Sequence, residues 1–196
     1  MAETKPCREE AFSLLKKYNK NEGLIKHALA VEAVMRYCAR KRGRDEEMWG
    51  VIGLIHDLDY EQFPDQHCRK TEEILTCENW PADYIRAVLS HGWGICTDVE
   101  PQSDLEKVLF AVDELTGLVT ATVLVRPSRS VLDMNAKSVK KKWKDKSFAA
   151  GVNREVIEKG AEMLGIDVGE LISDVIMGMR EVAGEIGLRG DPNVSG

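Results

Sequence analysis

The chain has 196 residues, 43% hydrophobic and 31% charged, a balance that suits one globular domain with a substantial core. Its formal net charge of −6 argues against a general nucleic-acid binder, and no apolar run approaches the roughly 18 residues of a membrane span. Five cysteines without a Cys-x-x-Cys pair, and a start from Met1 to Lys5 without the apolar core of a signal peptide, point to reduced thiols in a cytoplasmic protein.

Residues 9–18 read as a first helix, with Phe12, Leu14 and Leu15 on its apolar side. Residues 22–42 read as a second: Leu24, His27, Val31, Val34 and Cys38 recur at helical spacing and share one face, and Gly43 suits a C-terminal stop. Asp45 can cap a third helix that is apolar almost all round from Met48 to Ile55. A buried strand would have the same composition; the length favours a helix. His56 and Asp57 stand at its end. Residues 60–66, with Pro64, read as a loop. His67 opens a fourth helix to about Cys77, and Pro81 starts a fifth that reaches His91. Ser103 and Glu106 form a capping box at the head of a long helix carrying Asp113. Its β-branched stretch, residues 119–125, also suits a strand, but the apolar spacing continues the helix. A basic turn follows at Arg126 to Ser130. Residues 137–150 read as a lysine-rich helix stopped by Gly151. Residues 152–164 and 168–182 read as two more, the last with a capping box at Asp167 and Glu170. Residues 188–196 read as a loose tail. The expectation is an all-α, single-domain bundle of about eight helices over residues 1–196, with C-terminal helices over about 135–187.

The four histidines are scattered along this scaffold. Taken singly, His27 reads as a hydrogen-bonded core residue, and His56, His67 and His91 as residues at helix ends. Asp113 is harder to place, because a carboxylate in a buried helix needs an ion pair or a metal. Together, imidazoles and carboxylates suit one or two divalent transition ions (Mn, Fe, Co, Ni or Zn) better than an oxygen-only calcium site. In a bundle such ligands converge from several helices.

A histidine on one helix, a His-Asp pair ending another and an aspartate on a later one resemble the HD-domain superfamily of metal-dependent phosphohydrolases. The matching positions are His27, His56-Asp57 and Asp113, within a core of about residues 22–123. The contexts of His67 and His91 resemble the extra ligands of two-metal members, and residues 105–113 resemble the corresponding helix of HD-type dinucleoside tetraphosphate hydrolases. Where many two-metal members have His-Asp-Ile-Gly, this chain has His56-Asp57-Leu58-Asp59; Asp59 is open to a role holding a ligand or to a place in a surface loop. The Gly-Tyr-Pro extension of cyclic-dinucleotide phosphodiesterases is missing.

The resemblance implies an HD-like helical fold and hydrolysis of a nucleotide or other small phosphoester or phosphoanhydride by metal-activated water. Asp57 and His56 are its expected catalytic centre, with Asp57 bridging two ions and His27, His67, His91 and Asp113 completing the set. The basic stretch after the core offers Arg126 and Lys142 for the phosphate, and Trp93 for stacking on a base. The resemblance also admits a mixed-valent di-iron oxygenase and a non-catalytic metal-binding domain. The expected partner is a small phosphorylated molecule, with no nucleic acid and no membrane; nothing in the sequence sets the oligomeric state.

Overall fold

A computed structural model describes residues 5–191 and residue 194. Among these, nine α-helices run in the order α1 (Arg8–Tyr18), α2 (Glu22–Arg42), α3 (Glu46–Ile55), α4 (Arg69–Cys77), α5 (Ala82–Ser90), α6 (Asp104–Leu124), α7 (Ala136–Trp143), α8 (Arg154–Leu164) and α9 (Val168–Glu181). A single 3-10 turn, Pro64–Gln66, lies between α3 and α4. The described residues contain no sheet, so the architecture is all-α as expected, with one helix more than the approximate eight. No described helix is long and apolar enough to cross a membrane.

Local chemistry sets the bounds of the two longest helices. The Asn21 side chain accepts the N–H groups of Gly23 and Leu24 at the head of α2, and Gly43 ends it in the left-handed region at φ 63°. At the head of α6, Ser103 accepts the Glu106 N–H while the Glu106 carboxylate accepts the Ser103 N–H. The β-branched stretch stays helical to Leu124. Its Thr122 hydroxyl donates to the Leu118 carbonyl one turn back, and Val119 and Val123 are buried.

α2 packs against α3, α6 and α9, and α8 lies along α6. Two of these approaches depend on glycine: a β-carbon at Gly178 would lie 2.6 Å from the Val34 Cα, and one at Gly160 would lie 2.5 Å from the Ala111 Cβ. α3 is central, with Trp49 through Ile55 all buried. Each fully buried Ile or Leu there contributes roughly 1.5–3 kcal/mol. One apolar cluster runs from Ala11 to Leu188.

The structure differs from expectation at several ends. α4 begins at Arg69 rather than His67, because Cys68 takes φ 66° and breaks the helical path. α7 stops at Trp143 rather than running to residue 150. The Asp145 carboxylate captures the N–H groups of Ser147 and Phe148, a local turn that competes with the helix. α8 starts at Arg154, capped by Asn153. At α9, Asp167 accepts the Gly169 N–H, but Glu170 reaches across to Lys41 instead of closing a box. The expected loose tail is held at its start. Leu188 is buried, its carbonyl accepts the Val131 N–H at 2.9 Å, and the Asp191 N–H donates to Ser128. Residues 1–4, where a leader would begin, and residues 192, 193, 195 and 196 of the tail lie outside the described residues.

Candidate metal centre

Four helix-borne segments and one loop bring all four histidines together. His27 comes from the second turn of α2, Asp113 from the middle of α6, and His56 and Asp57 from the end of α3. His67 precedes α4, and His91 follows α5. His27 Nε2 lies 3.0 Å from Asp113 Oδ1 and 3.8 Å from Asp57 Oδ2. His56 Nε2 lies 3.3 Å from both of those oxygens. On the other side, Asp57 Oδ1 lies 3.4 Å from His67 Nε2 and 3.5 Å from His91 Nε2. The two oxygens of Asp57 therefore face two different groups of nitrogens.

The backs of three rings define which nitrogen is free. His56 Nδ1 is 2.8 Å from the Gly53 carbonyl, and His91 Nδ1 is 2.5 Å from the Val88 carbonyl. A carbonyl only accepts, so each Nδ1 carries the hydrogen and each neutral ring presents a bare Nε2 inward. His67 Nδ1 is held in the same way by Asp59 Oδ1 at 2.8 Å, while Asp59 Oδ2 accepts the Thr71 N–H. Asp59 is fully buried, so it is not a surface-loop acid; its carboxylate holds the His67 ring.

This inward set fits cations. His67 Nε2 and His91 Nε2 stand 3.2 Å apart, a distance at which two bare acceptors need a proton or metal between them. His56 Nε2 is buried with no hydrogen-bond partner, although a buried polar atom is ordinarily satisfied. His27, His56, Asp57 and Asp113 have donor atoms clustered closely enough to hold one ion; Asp57, His67 and His91 form a second such group.

Charge is concentrated here. Burial by itself raises the pKa of Asp57, but the imidazoles around it, His56 foremost, outweigh burial and hold it well below the ordinary carboxylate value. Asp113 is lowered by the same balance of burial against His56 and His27. Burial lowers the His56 pKa, yet the facing Asp57 and Asp113 carry it well above the usual imidazole value. For His67, burial is outweighed by Asp59 and Asp57, and the pKa is again raised.

The cluster forms the floor of a cleft of about 330 Å³, within the size range of small-molecule sites. Tyr60, Ile95, Val152 and Val156 give it apolar walls, and Gly117 leaves room one turn beyond Asp113. Glu114 also lines it; burial, and then Asp113 beside it, raise its pKa, and its carboxylate accepts the Asn153 N–H. Among the described residues lining the cleft there is no lysine or arginine.

The three substrate-binding candidates stand elsewhere. Arg126 pairs with Asp133 at 2.5 Å and donates to the Ser138 hydroxyl. The Lys142 ammonium sits over the Phe148 ring at 5.1 Å. Trp93 packs against Phe110, with the Lys159 ammonium 3.6 Å above its own ring. None of the three lines the cleft. Glu114 had a sequence signal, an acid beside a buried acid. Val152 and Val156 had none, because they arrive on the chain around the head of α8. Cys68 and Cys96, beside the His67–His91 group, also went unremarked. Contact with Cys68 lowers the Cys96 thiol to about 6, and the same contact raises Cys68.

Residues 24–118, just under half of the chain, match the family model described as the HD domain. That span contains His27, His56, Asp57, His67, His91 and Asp113. No solved structure matches this chain.

Proposed function

This chain belongs to the HD-domain superfamily of metal-dependent phosphohydrolases, and from that premise we propose that it hydrolyses a small phosphoester or phosphoanhydride, a nucleotide included, at a two-ion centre. The observation that carries the reading is the division of Asp57. Its Oδ2 faces His27 and His56, and its Oδ1 faces His67 and His91. His27, His56, Asp113 and Asp57 would hold one divalent ion, and His67, His91 and Asp57 the other.

Bound divalent ions polarise a phosphoryl oxygen and lower the pKa of a coordinated water, which supplies a nucleophile near neutral pH. The chain's own residues prepare that chemistry. Gly53, Val88 and Asp59 fix the Nδ1–H of His56, His91 and His67, so each Nε2 lone pair points at the centre. Asp57 remains ionised between them and offers one oxygen to each side. The apolar walls at Tyr60, Ile95, Val152 and Val156 would pack the organic part of the substrate and exclude water from it. With no lysine or arginine among the described lining, neutralisation of the phosphate would fall to the bound ions. That favours a substrate presenting one compact phosphate over a long polyphosphate chain.

The test uses the full chain, purified without chelator. Metals per chain are measured, and phosphate release is followed from phosphomonoesters, nucleotides and dinucleoside polyphosphates. The expected result is release that chelation abolishes and added metal restores. A chain loaded with two ions that releases no phosphate but consumes oxygen with a substrate would overturn the hydrolytic reading in favour of the oxygenase alternative.

A further inference from the structure

At the wall of the cleft, on the His67–His91 side, two thiols touch. Cys68 Sγ lies 2.8 Å from Cys96 Sγ, although the residues are 28 apart in sequence. Cys68 is fully buried; Cys96 is exposed at the rim and lines the cleft. The sulfurs are about 0.8 Å beyond disulfide bonding distance.

The surroundings are built for this contact. Cys68 takes φ 66° and ψ −49°, a conformation that a residue with a β-carbon rarely adopts. It directs the thiol to the Cys96 side at the point where the chain turns into α4. Gly92 is buried opposite, and a β-carbon there would fall against both sulfurs, so its absence leaves the space they occupy. The turn carrying Cys96 is closed on the Gly92 carbonyl, which accepts the N–H groups of Ile95, Cys96 and Thr97 at 3.0, 2.9 and 3.1 Å. One thiol is thus open to the cleft and the other lies behind it, the arrangement of an attacking and a resolving cysteine.

We propose that Cys68 and Cys96 are a redox dithiol, a modification site that closes to an intramolecular disulfide by exchange with a low-molecular-weight disulfide entering the cleft. The Cys96 thiolate attacks one sulfur of the incoming disulfide. That S–S bond breaks, and one small thiolate leaves and takes a proton from solvent. Cys68, giving its proton to water, then attacks Cys96 Sγ and expels the second small thiol. Two protein thiols are oxidised by two electrons, and one small disulfide is reduced to two thiols. Because Cys68 follows His67 directly and lies 4.0 Å from His91 Nε2, the new bond ties together the segments bearing those two histidines. The site stands independently of the phosphohydrolase reading.

The experiment uses the full chain with Cys7→Ser and Cys77→Ser, which keeps Cys38, Cys68 and Cys96. The protein is stripped with chelator and treated with glutathione disulfide. The expected product has lost two hydrogens by intact mass, retains only the buried Cys38 thiol, and yields a digest peptide joining Cys68 to Cys96; dithiothreitol reverses all three. Adding Cys68→Ser leaves one glutathionyl group trapped on Cys96, whereas adding Cys96→Ser leaves none on the buried Cys68. The joined peptide in the parent decides the matter even if a variant fails to fold. Three persistent thiols would overturn the proposal, as would a Cys96 adduct that the parent does not resolve. The same holds for zinc that survives chelation and disappears with Cys68→Ser, since Cys68, Cys96 and His67 have donor atoms near enough to share an ion.

Discussion

The two halves of the candidate cage are built by different means. His27 and Asp113 project from α2 and α6, each 21 residues long, and His56 caps a helix whose last seven residues are buried. Helix packing orients most of that half, with the Gly53 carbonyl holding the His56 ring. His67 and His91 instead flank two nine-residue helices at their ends, where the backbone is less constrained. There the orientation comes from hydrogen bonds, chiefly Asp59 to His67 and the Val88 carbonyl to His91. A ligand on a buried helix is as rigid as the core, whereas one at a helix end is only as rigid as its supporting bonds.

Asp57 joins the halves, so Asp57→Asn has the largest expected effect. Both ions should be lost by elemental analysis, and activity should fall by more than about 10²-fold, the cost of a single electrostatic stabiliser. Retention of one ion would mean that the halves do not share this carboxylate. Next come the single-half variants. His27→Ala and His67→Ala should each retain one ion in metal titration, and both should cut turnover by roughly 10²-fold. Loss of both ions in either variant would erase the distinction between the halves.

Asp59→Asn sharpens the contrast, because it removes a support found on only one side. Affinity for the His67–His91 ion should weaken by about 10–100-fold in calorimetric titration, with the other ion unaffected.

A smaller effect follows from pH. In the metal-free chain the raised pKa values of His56 and His67 give stabilisation that is complete below their unfolded value of 6.5 and is lost as pH rises through the folded values. The lowered Asp57 and Asp113 contribute above 3.8, and that contribution is lost as pH falls through their folded values. Metal needs the neutral imidazoles that the raised values disfavour. The rise in Tm on adding metal should therefore grow from about pH 5 to about pH 8, at roughly 2–4 °C per kcal/mol. A rise that is flat with pH would contradict this charge balance. Smallest of all, Arg126→Ala and Lys142→Ala should leave KM within about twofold and cost under about 1 kcal/mol of stability in urea titration, as expected for groups engaged at the surface away from the cleft.

Much of the fold was legible because its signals are local. The bounds of α2 follow from Asn21 and Gly43, and the start of α6 from Ser103 and Glu106, all through bonds spanning four residues or fewer. The apolar period placed His27 on an inward face, and a carboxylate on the apolar side of its helix marked Asp113. The error at α7 was also local: lysines and alanines favour a helix over residues 137–150, but the Asp145 carboxylate offers the backbone a competing turn.

What only the tertiary structure decided concerns pairs far apart in the chain. His27 meets Asp113 across 86 residues, and Cys68 meets Cys96 across 28. The sequence supplied the ligand types and, through resemblance, their grouping. It did not determine that Asp57 divides its oxygens between two groups, that Asp59 is buried behind His67, or that the lysine-rich stretch stays out of the cleft. Side-chain periodicity and capping depend on neighbours within a turn. The distances between those side chains depend on how closely α2, α3, α6 and α8 pack, and that is fixed by glycines and buried apolar groups that are not themselves ligands.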